Sequence, residues 1–412
     1  MAFDANRFRS QFPSLSMKVS GVPSHFFDGP GGSQVPQAVI DAQRDYYLEA
    51  NSNTHGTFAT SRATDAVVAS ARQAMADFLG AQGSSTISFG ANMTTLNFAL
   101  ARAIGRTLGV GDEVVVTDLD HDSNVAPWLH LRERGVEVRA CPVRPGDCVL
   151  DLGAMADLIG DGTRHVAVGY ASNAVGTVND VGAIAALAHR VGATVSVDAV
   201  HFAPHHSIDV QALDIDYLLC SAYKFFGPHV GVLYSRPGLL DRLPTDRVRP
   251  QRPSAPTRIE TGTLNHAALA GVTAAVDTIA AAGRGTTQRE RLLDAFADIY
   301  AYEHELGRRL WEGLAASPGL TLFGSPFGTE LRAPTVSFRV AGLAPAEVAA
   351  ELGQRGFFVW DGDFYAIALI EALGLSDKGG LVRVGMAPYI LPEEVDALLD
   401  AVRSLAVSAP AV

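Results

Sequence analysis

The chain has 412 residues, of which 48% are hydrophobic and 18% are charged. This composition excludes a disordered chain, and the length suits one large domain with a smaller one. The 44 acidic and 32 basic residues give a net charge of −12, which argues against nucleic acid or an anionic membrane as the main partner.

The first residues, MAFDANRFRSQFPSLS, carry charge throughout and contain no apolar run, so we predict no signal peptide. No run of about 20 apolar residues could span a membrane, and we expect a cytoplasmic protein. The sequence has three cysteines, Cys141, Cys148 and Cys220. Their spacing matches neither a disulfide framework nor a zinc site. We therefore predict free thiols and no metal site.

Helices are predicted at residues 37–49 and 63–79, ahead of a region in which apolar runs alternate with helical patterns such as 94–105 and 181–191. Several runs are continuously apolar, as in strands buried on both faces of a sheet. This alternation predicts an α/β fold with a mainly parallel, seven-stranded sheet. The predicted strands are 86–90, 113–119, 137–143, 165–172, 194–200, 217–223 and 231–236.

The C-terminal part follows a loop rich in Arg and Pro at 242–257 and is predicted to be a smaller α+β domain. Its predicted helices are 269–282, 288–315, 345–355 and 392–405. Its predicted strands are 320–323, 335–340, 357–360 and 381–384. We expect residues 1–20 to pack on this small domain, residues 21–270 to form the large domain, and residues 271–412 to form the small domain.

Two ionisable residues stand at the ends of predicted strands. Lys224 lies just beyond an apolar strand, where apolar neighbours can lower the pKa of its amine and allow an imine to form. A solvated surface lysine is the alternative. Asp198 needs a cationic partner or hydrogen bonds if it is buried. A protonated pyridine nitrogen would be such a partner, and a structural carboxylate is the alternative.

A turn and a histidine complete the pattern. The turn 90–95 (GANMTT) leads into a helix whose first N–H groups favour a phosphate, although Asn and Thr also cap ordinary helices. His121 follows strand 113–119, where it can stack on a planar ligand and shuttle protons, or remain solvated. All these features lie at carboxyl ends of strands, where open α/β sheets bind ligands. Together they predict a site for pyridoxal 5′-phosphate.

The chain resembles the class V aminotransferase superfamily, in the branch of cysteine desulfurases, selenocysteine lyases and relatives of isopenicillin N epimerase. The resemblance extends over nearly the whole chain and implies fold type I of the pyridoxal-phosphate-dependent transferases. Its most specific segments are 197–201 (VDAVH), 221–224 (SAYK), 227–228 (GP), 172–177 (SNAVGT) and 260–263 (ETGT).

The resemblance implies catalytic roles for three residues. Lys224 forms the imine with the cofactor. Asp198 keeps the pyridine nitrogen protonated, which makes the ring an electron sink. His121 stacks on the ring, and His201 stands near the phenolic oxygen, where the family often has glutamine. Lys224 and His121 are the expected proton carriers.

Further residues are implied to hold the phosphate and the amino-acid substrate. Asn173 and Arg383 match the residues that bind the substrate carboxylate, for which a planar guanidinium is well suited. Thr263 matches a residue that reaches the phosphate of the partner subunit, so a homodimer is implied. The phosphate is otherwise held by Ser221, by Tyr223 in place of the usual histidine, and by the backbone around Asn92 and Met93.

The loop at 359–366 (VWDGDFYA) departs from the family pattern. Cysteine desulfurases attack the substrate sulfur with a loop cysteine, but this loop contains none. Tyr365 stands at that position, and Trp360 replaces a common arginine. Since tyrosine cannot form a persulfide, we expect that mechanism to be lost. The aromatic residues Trp360, Phe364 and Tyr365 either line a pocket for an apolar or ring-bearing side chain or pack the small domain against the large one.

Three functions remain open at this point. The first is a lyase that removes a sulfur-containing or other β-substituent from an amino acid by way of an imine with Lys224. The second is an aminotransferase, epimerase or decarboxylase of a specialised amino acid. The third is a cofactor-binding partner in sulfur transfer with little catalysis. Retention of the implied carboxylate-binding residues argues against the third.

Overall fold

The computed structural model describes residues 3–328 and 330–408. The described residues form an α/β part around a seven-stranded sheet and an α+β part around a four-stranded sheet. The helices are α1 (Ala5–Arg9), α2 (Gln37–Glu49), α3 (Ala59–Leu79), α4 (Met93–Gly105), α5 (Ala126–Leu129), α6 (Leu152–Leu158), α7 (Val181–Arg190), α8 (Leu239–Arg242), α9 (His266–Ala280), α10 (Gln288–Ala315), α11 (Pro345–Gln354), α12 (Ile367–Ala372) and α13 (Pro392–Ser408).

The strands include several two-residue pairs besides the two main sheets. They are β1 (Lys18–Val19), β2 (Val22–Pro23), β3 (His25–Phe26), β4 (Ile87–Gly90), β5 (Glu113–Thr117), β6 (Glu137–Cys141), β7 (Val143–Arg144), β8 (Val149–Leu150), β9 (Thr163–Gly169), β10 (Thr194–Asp198), β11 (Tyr217–Ser221), β12 (Gly231–Ser235), β13 (Leu320–Phe323), β14 (Thr335–Val340), β15 (Phe357–Phe358), β16 (Trp360–Gly362) and β17 (Leu381–Gly385).

The large sheet has the strand order β4-β12-β11-β10-β9-β5-β6. Strand β12 runs opposite in direction to the other six described strands of this sheet, so the prediction of a mainly parallel, seven-stranded sheet is confirmed. Strands β10, β11 and β12 are buried along almost their whole length, which explains their continuously apolar sequences. Because parallel neighbours end on the same side, the segments after β5, β9, β10 and β11 meet at one edge.

The four-stranded sheet has the order β13-β14-β17-β16 and is antiparallel throughout. The prediction of one strand at 357–360 is wrong. Residues Phe357–Phe358 pair with His25–Phe26 in a separate parallel pair, whereas Trp360–Gly362 pairs with Leu381–Gly385. The apolar run therefore changes sheets at Val359, because its two halves find different partners.

The N-terminal segment contacts both parts of the chain. Arg9 forms an ion pair with Glu394 on α13, with N–O distances of 3.0 and 3.1 Å. The ring of Phe12 packs on Phe226, 5.4 Å between centroids, and on Tyr389, 5.1 Å between centroids. The predicted domain boundaries stay a prediction.

Side-chain caps set the starts of two of the helices. Thr287 and Glu290 form a capping box at α10, and the side chain of Asn92 caps α4.

Among the residues that the structure describes, no helix combines the length and the apolar character needed to cross a membrane.

Candidate active site

A cavity of about 520 Å³ lies at the carboxyl edge of the large sheet, beneath the loop that follows β16. The structure brings together in its wall every site residue predicted from the sequence except Thr263. These residues are Asn92, Met93, His121, Asn173, Asp198, His201, Ser221, Tyr223, Lys224, Trp360, Tyr365 and Arg383. Residues that are more than 250 positions apart in the chain thus share one cavity.

Lys224 is the lysine of this cavity. The sequence has two others, Lys18 and Lys378, and both are exposed. The amine of Lys224 donates a hydrogen bond to the carbonyl oxygen of Pro30. Burial, together with the nearby Arg383 guanidinium, lowers the pKa of Lys224 to about 7. A substantial neutral fraction of the amine is therefore present near pH 7, as a nucleophile requires.

Asp198 and His201 flank the same cavity. A 2.9 Å hydrogen bond from the Val200 N–H reaches Asp198, and burial raises the pKa of this carboxyl to about 7. A cation placed beside it would restore the charged form. His201 is buried and lies 2.9 Å from the Thr335 hydroxyl through Nε2. Burial lowers the pKa of His201 well below its usual value, so the imidazole is neutral.

The start of α4 forms a cup at one end of the cavity. Asn92 accepts a 2.9 Å hydrogen bond from the Thr95 N–H, and the Met93 N–H donates to the Ser221 hydroxyl at 3.0 Å. Strand β12 passes so close that a Cβ on Gly231 would lie 2.3 Å from the Asn92 carbonyl carbon. The glycine thus permits the backbone approach that brings the helix N-terminus against the sheet, an arrangement that favours a phosphate.

His121 carries its proton on Nε2. The Ser123 N–H donates a 3.0 Å hydrogen bond to Nδ1, so Nδ1 is an acceptor. Burial, together with the positive charges of Lys224 and Arg383, lowers the pKa of His121 to about 4. The ring of Tyr365 stacks on the imidazole, with centroids 5.3 Å apart and planes inclined by 26°.

Arg383 and Asn173 form the polar end of the cavity. Arg383 is buried and donates a 3.0 Å hydrogen bond from Nη1 to the Asn173 carbonyl oxygen. Its guanidinium lies 4.2 Å above the Phe364 ring. The Asn173 amide donates to the Phe364 carbonyl oxygen at 2.8 Å. Asn173 Oδ1 and Arg383 Nε are buried and have no hydrogen-bond partner among the described residues.

These unpartnered polar atoms show that the cavity fits a polar ligand, because such groups are rarely left unsatisfied in proteins. Pyridoxal phosphate fits this donor set. Lys224 would hold its carbonyl carbon, Asp198 its ring nitrogen, and the cup at Asn92 and Met93 its phosphate. His201 would lie by its phenolic oxygen.

Thr263 is the predicted site residue that the structure places elsewhere. It is exposed and lines a second cavity of about 410 Å³ that it shares with His229. The ring of His229 stacks on Tyr223, with centroids 4.5 Å apart and planes inclined by 12°. Tyr223 in turn lines the first cavity, so the stacked pair connects the two cavities.

Sequence reasoning missed two groups that shape the site. The carbonyl of Pro30 accepts a hydrogen bond from Lys224, and the run Gly29-Pro30-Gly31-Gly32 predicts a turn but no contact with an amine. Asp120 accepts hydrogen bonds from the Thr117 hydroxyl at 2.7 Å and from the Asn124 amide at 2.8 Å. It thereby anchors the segment that carries His121. No sequence signal separates Asp120 from its acidic neighbours.

Phe364 is predicted from the sequence either to line a substrate pocket or to pack the small domain against the large one. In the structure it carries both the backbone acceptor for Asn173 and the ring beneath Arg383. Trp360 and Tyr365 are 51% and 68% exposed, whereas Phe364 is buried. The most exposed rings of the loop therefore lie at the mouth of the cavity, and the buried ring supports its polar end.

Comparison with known proteins agrees with this architecture. A cysteine desulfurase from Synechococcus elongatus is 35% identical, and the match covers 98% of this chain and 64% of that protein. A cysteine desulfurase from Pectobacterium atrosepticum is 30% identical, and the match covers 97% of both chains. The apo structure of a cysteine desulfurase from Thermococcus onnurineus superposes with a TM-score of 0.86 at 28% identity over 99% of both chains.

The model of the family described as aminotransferase class-V matches residues 25–398. This range contains the whole cavity. The match of sequence, fold and cavity residues leads to one conclusion: the chain belongs to the class V aminotransferase family and is a pyridoxal-phosphate-dependent, cysteine desulfurase-like enzyme.

Proposed function

We propose that this enzyme is a lyase that removes a β-substituent from an amino acid without forming a persulfide, with a C–S bond as the first candidate. One observation carries the proposal: no thiol is available as a nucleophile. Cys141, Cys148 and Cys220 are buried, and burial raises the pKa of each thiol. The thiolate is the reactive form, and the loop carries Tyr365 instead of cysteine.

Substrate binding is assigned to Arg383 and Asn173. The unpartnered Arg383 Nε and the remaining guanidinium donors suit a carboxylate. The Phe364 ring beneath the guanidinium and the Asn173 carbonyl hold it in one orientation. The α-carboxylate of an amino acid is the substrate group that this arrangement fits.

Proton transfer is assigned to Lys224 and His121. When bound, pyridoxal phosphate withdraws electrons from Cα of the substrate. Lys224, with a pKa of about 7, accepts the proton from Cα. The ammonium that Lys224 becomes supplies the proton that the departing sulfur takes up, and the neutral His121 donates a hydrogen bond from Nε2 to that sulfur. The amino acid thus loses hydrogen from Cα and the thiol from Cβ, and water converts the released product to a keto acid and ammonia.

The test is product analysis by mass spectrometry with L-cysteine and a panel of β-substituted amino acids. Keto acid from a panel member, lost in Lys224→Ala and kept in Lys378→Ala, supports the proposal. Lys378 is an exposed lysine of the C-terminal part, so its variant is the matched control. Alanine with sulfide from cysteine overturns the proposal, as does the absence of keto acid from every panel member.

We also propose that the enzyme is a homodimer in which Thr263 serves the partner's phosphate cup. Its position in the second cavity, apart from Lys224, supports this assignment. Mixed dimers of Lys224→Ala and Thr263→Val subunits test it. If Thr263 acts across the interface, one site of each mixed dimer loses both residues and the other is intact, so activity returns on mixing. Activity that stays at the level of the separate variants contradicts the assignment.

A further inference from the structure

Tyr365 occupies an unusual position for an exposed residue. Its side chain is 68% exposed, yet its backbone has φ of +57°, and Phe364 before it has φ of +55°. Two consecutive non-glycine residues in the left-handed region are rare, because the Cβ atom crowds the backbone there. Such a conformation persists only where the surroundings impose it.

Backbone hydrogen bonds at both ends of Tyr365 impose this conformation. Its carbonyl oxygen accepts a 2.7 Å hydrogen bond from the Asp122 N–H, and its own N–H donates to Asp363 Oδ1 at 2.8 Å. The preceding carbonyl, of Phe364, accepts from the Asn173 amide. The loop is therefore tied to segments that follow two different strands of the large sheet.

These ties bring the loop to His121 in two ways. Asp122, whose N–H binds the Tyr365 carbonyl, directly follows His121 in the chain. The Tyr365 ring also stacks on the imidazole, at a centroid distance of 5.3 Å and with the planes inclined by 26°. In the plane of the imidazole, Nδ1 of His121 accepts a hydrogen bond from the Ser123 N–H. The hydrogen bond from Ser123 thus restrains rotation of the imidazole in its plane, and stacking on Tyr365 restrains its movement perpendicular to that plane.

We propose that Tyr365 is a positioning residue that holds His121 in two ways: its ring stacks on the imidazole, and its carbonyl oxygen accepts the hydrogen bond from the Asp122 N–H. An imidazole has two faces, and the tyrosine ring takes one, so a planar ligand can stack only on the other. The loop position that carries a nucleophile in cysteine desulfurases has become a fixed support for the histidine. The part that His121 plays in catalysis rests on the proposed function, but its placement does not.

The first test uses the cofactor-free protein and needs no substrate. The imidazole resonance of His121, assigned with His121→Gln, reports the ring current of the stacked tyrosine. We expect Tyr365→Phe to leave this resonance in place and Tyr365→Leu to shift it. Tyr47→Leu, which replaces an exposed tyrosine on α2, is the matched control and should leave it unchanged. A His121 resonance that is identical in wild type and Tyr365→Leu overturns the proposal.

The second test adds pyridoxal phosphate and records circular dichroism in the visible region. Tyr365→Leu is expected to change the signal of the bound cofactor, and Tyr365→Phe to restore it. Once a substrate is known, kcat should fall by up to about 10²-fold in Tyr365→Leu, because misplacing a catalytic group slows the reaction by about this factor. KM should change far less. An unchanged cofactor signal in Tyr365→Leu contradicts the proposal. The keto-acid assay above judges the proposed function separately.

Discussion

Arg383 donates a hydrogen bond to the carbonyl oxygen of Asn173, and this contact joins the C-terminal sheet to the segment that follows β9 across the cavity. The donor stands on β17, and the acceptor stands at the carboxyl edge of the large sheet. The two parts of the chain therefore meet at a group that suits a carboxylate. The residue that we propose to bind the substrate therefore also takes part in the packing of the two parts.

Replacing Arg383 with lysine should raise KM for the amino acid. A lysine keeps the charge but loses the planar pair of donors, and hydrogen bonds to charged groups contribute about 1.5–3 kcal/mol. We expect kcat/KM to fall by about 10- to 10²-fold, mostly through KM. Steady-state kinetics measure this. Arg339→Lys, on neighbouring β14, is the control, since Arg339 binds the Lys378 carbonyl away from the cavity. Equal losses in both variants would refute a special role for Arg383.

The cysteines should be inert in the native protein. All three are buried, and burial raises the pKa of each thiol, so a chromogenic disulfide reagent should find no thiol at pH 8 and three in denaturant. Tyr365→Cys should add one rapidly reacting native thiol, because this position is 68% exposed. In Cys148→Ser the number of reactive thiols should stay at zero in the native protein and should fall to two in denaturant. A fast native thiol in the wild type would reopen a persulfide mechanism.

The elements that sequence reasoning placed well are those whose pattern is local. Helix α10 and strands β13 and β14 have the predicted bounds, since amphipathic periodicity and the Thr287 cap lie within the segment itself. The prediction of one strand at 357–360 is wrong because the two halves of this run pair with residues 25–26 and 381–385. Pairing partners so far away in the chain leave no local signature.

The same distinction applies to the site. Lys224, Asp198 and His121 could be proposed because side-chain chemistry and strand ends are visible in a sequence. The Pro30 carbonyl could not, because every residue has a carbonyl and only the fold places this one beside an amine. The left-handed backbone at Phe364 and Tyr365 was equally invisible, since neither residue type favours it.

The indole of Trp360 should allow no residue larger than glycine at position 31. A Cβ on Gly31 would lie 2.4 Å from Trp360 Nε1, so in Gly31→Ala the half-exposed indole must move away. We expect stronger quenching of tryptophan fluorescence by acrylamide and a lower melting temperature. In a Trp360→Leu background Gly31→Ala should have little effect, and the coupling between the two positions should be about 0.5–3 kcal/mol.

Gly109→Ala is the control for this prediction, because no atom lies within 4 Å of a Cβ at Gly109. It should leave the accessibility of Trp360 unchanged. Additive effects of Gly31→Ala and Trp360→Leu on the free energy of unfolding would show that the two residues do not touch in solution.

His165 should make the protein sensitive to acid. It is buried beneath Trp128, with ring centroids 4.2 Å apart, and its nitrogens lie 2.8 Å from the Thr194 hydroxyl and 2.9 Å from the Ser196 hydroxyl. Burial lowers the pKa of His165 to about 3, against about 6.5 in an unfolded chain. Between these values the unfolded state binds one more proton than the native state, so the stability present above pH 6.5 is lost as the pH falls.

The loss due to His165 should approach about 1.4 kcal/mol per pH unit below pH 6.5. Urea unfolding of wild type and His165→Gln between pH 7.5 and 5 measures it. The variant should be less stable at neutral pH because it loses packing, but the gap should narrow on acidification, since glutamine takes up no proton. The contributions of other titrating groups cancel in this difference. Val166→Ala, which shortens a neighbouring buried side chain on β9, should keep a constant gap from wild type. A constant gap for His165→Gln as well would mean that His165 takes up its proton in the native state, and the burial argument would then fail.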